Sequence, residues 1–82
     1  MNRSRELINQ IYITNLPISA EEGDIRDLFA VYGEVISIRV STESEKAEGR
    51  AYGFVKMKHT DARAAIQALN GAEYGGQTLR LM

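Results

Sequence analysis

Eight residues decide the fold: residues 50–57, which read Arg-Ala-Tyr-Gly-Phe-Val-Lys-Met. Side chains of a β-strand alternate between its two faces, so every second residue of this stretch shares a surface. One face carries two rings and two cations, which are Arg50, Tyr52, Phe54 and Lys56. The other face carries small and aliphatic residues, which are Ala51, Gly53, Val55 and Met57. If the aliphatic face is buried, the rings are exposed about 7 Å apart. Exposed rings flanked by positive charge form a platform on which unpaired bases can stack.

A second segment, residues 11–16 (IYITNL), repeats this arrangement. Ile11 and Ile13 have the core parity, and Tyr12 and Thr14 have the opposite one. Tyr12 therefore adds a third ring to the expected platform. The reverse parity would make the rings core residues, but it would also expose a set of large apolar side chains, which is unfavourable: Ile11, Ile13, Val55 and Met57.

Residues 50–57 resemble the longer ribonucleoprotein motif of the RNA-recognition motif family, which reads Lys/Arg, Gly, aromatic, Gly/Ala, aromatic, Val, any residue, aromatic. Six of the eight positions match, and the departures are Ala51 for Gly and Met57 for an aromatic residue. Met57 has the core parity, where a flexible apolar side chain can replace a ring. Residues 11–16 resemble the family's shorter motif at every position, in the family's order. The resemblance is closest to small single-motif bacterial members, and it implies RNA binding and post-transcriptional regulation.

The rest of the chain supplies the other elements of such a fold. The patterns predict a strand from residue 8 or 10 to 15, then a helix ended by Gly33 that begins either at a capping box of Ser19 and Glu22 or nearer Asp24, because Gly23 weakens its start. A strand over 35–40, a polar loop over 41–49 and a strand from 50 to 57 or 58 follow. The last elements are a helix capped by Thr60 or Asp61 and ended by Asn70-Gly71, a turn-rich link over 72–77 and a strand over 78–82. This order is that of an α+β, ferredoxin-like βαββαβ sandwich, with two helices on one face of a four-stranded antiparallel sheet.

Composition limits the alternatives. Eighty-two residues without cysteine, and with His59 as the one histidine, make one small domain without disulfides or a zinc site. We expect residues 1–9 to form a flexible lead-in and residues 10–82 to form the domain. No membrane-spanning or secretory segment is evident, so a cytoplasmic location is expected.

Charge is sorted between the two faces of the predicted sheet. The formal net charge of −1 argues against a polyanionic partner. The predicted open face nevertheless carries four cations and no acid. Its ten residues are Tyr12, Thr14, Ser37, Arg39, Arg50, Tyr52, Phe54, Lys56, Thr78 and Arg80. Most acids fall on or beside the helices. Glu43, Glu45 and Glu48 make the 41–49 loop acidic where it can border the platform, so modest affinity is expected.

The sequence thus predicts a monomeric protein that binds single-stranded RNA, without a cofactor, a metal or a small-molecule substrate. Bases are expected to stack on Tyr12, Tyr52 and Phe54, phosphates to meet Arg50 and Lys56, and three further residues to contribute: Thr14, Arg39 and Arg80. Asn15 is expected to satisfy turn backbone and His59 to lie in a loop. Phe29, Tyr32 and Tyr74 are expected to be structural.

Two alternatives use the same fold. A protein-interaction module would hold a partner protein through the rings or the helix faces. An enzyme of the acylphosphatase kind would need an anion-gripping loop with an arginine after the first strand, and residues 16–19 (LPIS) contain none. Neither a nucleophile–base pair nor a paired-carboxylate site stands out, so catalysis is not expected.

Overall fold

The structure is a computed structural model, and it describes residues 7–82. Four strands form an antiparallel sheet in the order β2-β3-β1-β6, and β4 and β5 form a separate hairpin. The elements follow the chain in this order: β1 (Ile8–Thr14), α1 (Glu22–Ala30), β2 (Ser37–Val40), α2 (Glu43–Ala47), β3 (Tyr52–Lys58), α3 (His59–Leu69), β4 (Glu73–Tyr74), β5 (Gln77–Thr78) and β6 (Arg80–Leu81). The predicted ferredoxin-like sandwich is confirmed, with α1 and α3 packed on one face of the sheet.

The core lies between that face and the two longer helices. Ile11 and Ile13 of β1 and Val55 and Met57 of β3 are completely buried, as their parity predicts. The two helices contribute the apolar residues on their inner sides: Ile25 and Phe29 from α1, and Ala62, Ala65 and Leu69 from α3. Leu79 and Leu81 complete the core. This packing leaves the opposite face of the sheet open.

Several element boundaries differ from the predictions. Helix α1 begins at Glu22, where the Asp24 carboxylate accepts a hydrogen bond from the Glu21 N–H at 3.1 Å. Ser19 is not the cap, because it lies in a turn closed by the Ala20 N–H donating to the Pro17 carbonyl. Helix α3 follows β3 directly and begins at His59, so the prediction of a loop there was wrong.

The second strand is shorter than predicted. It begins at Ser37, and Ile36 is 45% exposed although its N–H donates to the Lys56 carbonyl. The strand lies at the edge of the sheet, where the helices cover it only in part, and Ile38 and Val40 are half-buried. Within the strand the predicted alternation holds, because Ser37 and Arg39 are exposed while Ile38 and Val40 are half-buried.

Two connections contain structure that the sequence patterns did not show. The predicted 41–49 loop includes α2, and the 72–77 link includes β4 and part of a hairpin closed by Gly75-Gly76, whose φ angles of 59° and 85° favour glycine. Thr78 belongs to that hairpin rather than to the last strand, which begins at Arg80.

The predicted lead-in over residues 1–9 overlaps the described residues only at residues 7–9. Ile8 and Asn9 pair with Lys58 and Met57, so β1 includes the last two residues of the expected lead-in. Residues 1–6 lie outside the described residues. No helix among residues 7–82 is long and apolar enough to cross a bilayer.

Candidate nucleic-acid interface

Three aromatic rings meet in the middle of the open sheet face. Tyr12 of β1 lies opposite Phe54 of β3 in the strand register, and Thr14 lies opposite Tyr52. The Tyr12 and Phe54 rings are stacked, with centroids 4.9 Å apart and planes at 29°. Tyr52 is turned on edge, 6.0 Å from Phe54 at 77° and 6.2 Å from Tyr12 at 51°. We call these three rings the platform.

Each of the three platform residues is half-buried. The residues next to Tyr12 and Phe54 in the strands, Ile11, Ile13 and Val55, are completely buried. The two faces of β1 and β3 therefore have the polarity that the alternation predicted. A large ring on the solvent side of a sheet gains little from the core, so its position suits contact with a ligand.

Cations flank the platform on two sides. Arg39 of β2 lies opposite Phe54, and together with Lys56 it lines a groove of about 300 Å³. Arg80 of β6 lies opposite Thr14, and with Arg50 it lines a second groove, of about 620 Å³, beside Tyr12 and Tyr52. All four cations are exposed. A single nucleic-acid strand that crossed the platform from one groove to the other would meet positive charge in both grooves.

Arg50 differs from its prediction in one respect. Strand β3 begins at Tyr52, so Arg50 precedes the strand instead of opening it. Its N–H donates to the Glu45 carbonyl, and its guanidinium pairs with the Glu48 carboxylate at 2.9 Å. Both side chains of that ion pair are more than half exposed, so the pair is weak and open to exchange.

Glu45 touches the platform itself. One oxygen of its carboxylate accepts a hydrogen bond from the Tyr52 hydroxyl. That hydrogen bond holds the pKa of Glu45 below its usual value, with further help from the Thr42 N–H, and it raises the pKa of Tyr52. The acidic loop expected to border the platform therefore does so, through this contact and through the Glu48–Arg50 pair.

Helix α2, which carries these acids, was missed by sequence reasoning. A usable signal was present in Thr42 and Glu45, which have capping-box spacing. The Thr42 hydroxyl accepts from the Glu45 N–H at 3.2 Å, and Glu45 accepts from the Thr42 N–H at 2.7 Å. The helix has five residues and no apolar stripe, so periodicity could not reveal it.

The remaining candidates have structural contacts. The Thr14 hydroxyl donates to the Arg80 carbonyl at 3.5 Å. Asn15 has a positive φ of 65°, and its amide donates to the Thr78 carbonyl at 2.7 Å, which agrees with the predicted turn role. Within residues 7–82, His, Asp and Glu side chains form no group suited to hold a metal ion.

Comparison with known proteins agrees with this geometry. A family model described as RNA recognition motif matches residues 11–80. The chain belongs to the RNA recognition motif family. It is 40% identical over 72 residues to RbpE of Nostoc sp., provisionally named an RNA-binding protein, and the match covers 87% of this chain and 73% of RbpE. It is 41% identical over 70 residues to a polyadenylate-binding protein of Chaetomium globosum, covering 84% of this chain but 9% of that protein.

Solved structures share the fold. The Rna15 RRM with bound RNA (GU) has a TM-score of 0.77 and 25% identity, over 89% of this chain and 79% of that one. The RNA-binding protein PG1 has the same TM-score and 39% identity, over 89% of each chain. The structural similarity therefore extends over most of the chain.

Proposed function

We propose that this RNA recognition motif protein binds short single-stranded RNA on its open sheet face and acts in post-transcriptional regulation. The observation that carries the proposal is the platform of Tyr12, Tyr52 and Phe54 on the solvent side of the two central strands. Base–aromatic stacking tolerates any sequence because every base has a π-face. The family membership and the RNA-bound Rna15 relative support RNA as the partner.

The cations supply the second part of the interaction. Phosphates would meet Lys56 and Arg39 at one end of the platform and Arg50 and Arg80 at the other. These charges attract a polyanion although the whole chain has a net charge of −1. A sheet of this width contacts about two to four nucleotides, so we expect micromolar affinity.

Titration of the isotope-labelled protein with a short unpaired RNA, with a hairpin and with a perfect duplex tests the proposal. Amide shifts should concentrate in β1 and β3 and saturate with the unpaired RNA. Duplex should bind much more weakly, because its stacked bases cannot lie on the sheet. Val31→Ala, at the exposed residue that follows α1, is the control and should not change binding. Shifts confined to the helices, or no saturable binding at low salt, would contradict the proposal.

A protein-interaction role is a second candidate, and one observation favours it. Val31 is 78% exposed beside a shallow groove of about 450 Å³ at the outer side of α1, which includes Asp24, Asp27 and Tyr74. Burial, with the two carboxylates, raises the pKa of the Tyr74 phenol. A partner there would carry apolar and basic side chains. RNA-induced shifts in β1 and β3 alone would leave this candidate without support.

A further inference from the structure

Helix α2 is fixed in place at the edge of the platform. Five residues are too few for a helix to be stable alone, so its position depends on contacts with the rest of the domain. The Lys46 side chain is buried, and its ammonium donates to the Ala20 carbonyl at 2.8 Å, before α1. At the start of α2, Thr42 and Glu45 close the reciprocal capping box. The capping box stabilises the first turn of the helix, and the Lys46 contact fixes the helix to the segment before α1.

Glu45 links this fixed helix to one platform ring. Its Oε1 accepts from the Thr42 N–H, and its Oε2 accepts from the Tyr52 hydroxyl. Both oxygens of the carboxylate are thus engaged by groups of the protein. The Tyr52 ring stands on edge to Phe54 and is tilted relative to Tyr12, while Tyr12 and Phe54 are stacked on each other. Stacking with a neighbour orients two rings, and the Glu45 hydrogen bond orients the third.

We propose that Glu45 is a positioning residue for RNA binding, which holds the Tyr52 ring in its bound orientation before RNA arrives. This inference rests on the proposed function. Without such a contact, the half-buried Tyr52 side chain would lose rotational freedom when a nucleotide contacts it. That loss weakens binding by about two- to tenfold for one side chain. Glu45 removes this cost in advance.

The carboxylate also has an opposing effect, since its negative charge repels phosphate. The two effects are separated by two substitutions that remove the same charge. In Glu45→Gln, the amide oxygen can keep the Thr42 contact while the amide NH₂ donates to the Tyr52 oxygen. In Glu45→Ala both contacts are lost. We expect Glu45→Gln to bind unpaired RNA at least as tightly as the unsubstituted protein, and Glu45→Ala to bind about two- to tenfold more weakly than Glu45→Gln.

A double-mutant cycle with Tyr52→Phe then tests the link itself. Tyr52→Phe keeps the ring and removes the hydroxyl, so it should weaken binding in the unsubstituted and the Glu48→Ala backgrounds. It should have little effect in the Glu45→Ala background, where the hydroxyl has already lost its partner. Glu48→Ala is the matched control, because Glu48 lies in the same acidic segment and pairs with Arg50 instead of Tyr52. Thermal unfolding of each variant checks that the domain remains folded.

A measurement without RNA tests the same contact. The Tyr52 phenol, followed by NMR through an alkaline titration, should ionise at a lower pH in Glu45→Ala, because the hydrogen bond that raises its pKa is gone. An unchanged Tyr52 pKa would overturn the inference, whatever the RNA result.

The binding outcomes distinguish the inference from the proposed function. Equal affinities of Glu45→Gln and Glu45→Ala, or an equal loss from Tyr52→Phe with and without Glu45, would overturn the positioning role and leave RNA binding intact. The second of these results would mean that the hydroxyl contacts RNA directly. Absence of RNA binding by the unsubstituted protein would reject the proposed function and the inference with it.

Discussion

The two ends of the platform present their cations to solvent in different ways. At the α2 end, Arg50 is paired with Glu48 and Tyr52 is bound by Glu45. At the Phe54 end, Arg39 and Lys56 have no carboxylate within ion-pair distance among residues 7–82. One end is occupied by the protein's own acids, and the other is available to phosphate. The placement of a few carboxylates therefore decides where positive charge can act, which the net charge of the chain does not reveal.

The largest effects should separate the platform from the core beneath it. Tyr12 and Ile11 are neighbours on β1, yet Tyr12 faces solvent and Ile11 is completely buried. Ile11→Ala should lower the free energy of unfolding by about 2–5 kcal/mol, because it opens a cavity. Tyr12→Ala should weaken RNA binding by about 1–3 kcal/mol, with a much smaller effect on stability. Thermal unfolding and fluorescence anisotropy measure the two quantities. If Tyr12→Ala unfolds the domain as Ile11→Ala does, the ring is structural.

Salt dependence should distinguish the two ends of the platform. Each phosphate neutralised on a single strand adds about 0.7 to the slope of log affinity against log salt. Lys56→Ala should flatten the slope by about this amount. Arg50→Ala should flatten it less, because Glu48 already neutralises part of its charge. Affinities measured over a series of salt concentrations give the slopes. Equal changes for the two variants would mean that RNA displaces Glu48 completely.

Release of Arg50 from its partner should strengthen binding slightly. Glu48→Gln removes one negative charge beside Arg50 and should raise RNA affinity about twofold at low salt, since exposed ion pairs are weak. The gain should disappear at high salt. Glu22→Gln in α1 makes the same change of charge away from the sheet and serves as the control. An equal gain from both variants would indicate a general charge effect instead of a local one.

The smallest expected effect is a pH dependence at the α2 end. Hydrogen bonding to Tyr52 and Thr42 lowers the pKa of Glu45 from its ordinary value of 4.5. The stability supplied by these contacts is therefore fully present above pH 4.5 and is lost as the pH falls through the lower, folded-state pKa. NMR of the Glu45 carboxyl carbon should give a midpoint below 4.5, and Tyr52→Phe should move the midpoint upward. A midpoint insensitive to Tyr52→Phe would show that the hydroxyl is not its main partner.

The central strands and the platform could be predicted because alternation is a strong local signal. In β1 and β3 both faces have a definite polarity, so a one-residue error in parity would have exposed Ile11, Ile13, Val55 and Met57 together. The helices followed from apolar spacing in the same way. At the edge strand β2 the alternation holds over residues 37–40, and the error is confined to residues 35 and 36, which precede the strand.

The parts that could not be predicted depend on contacts distant in sequence. Lys46 is a charged residue in a polar segment, and nothing local indicates that it reaches Ala20, 26 positions away. The contact of Glu45 with Tyr52 requires α2 to fold back beside β3, which no periodicity encodes. The β4–β5 hairpin has only two residues in each strand, too few for alternation to be recognised.

The pairing of Tyr12 with Met82 has a practical consequence for experiments on this protein. Each N–H of the pair donates to the other's carbonyl, at 3.1 and 3.0 Å, so β6 runs antiparallel to β1 up to that point. Residues attached after Met82 would continue toward Gln10 along the uncovered edge of β1, beside the platform. An affinity tag placed there would lie next to the surface being assayed, and a basic tag would raise the apparent affinity for RNA. Binding measurements should therefore compare protein with and without a tag attached after Met82.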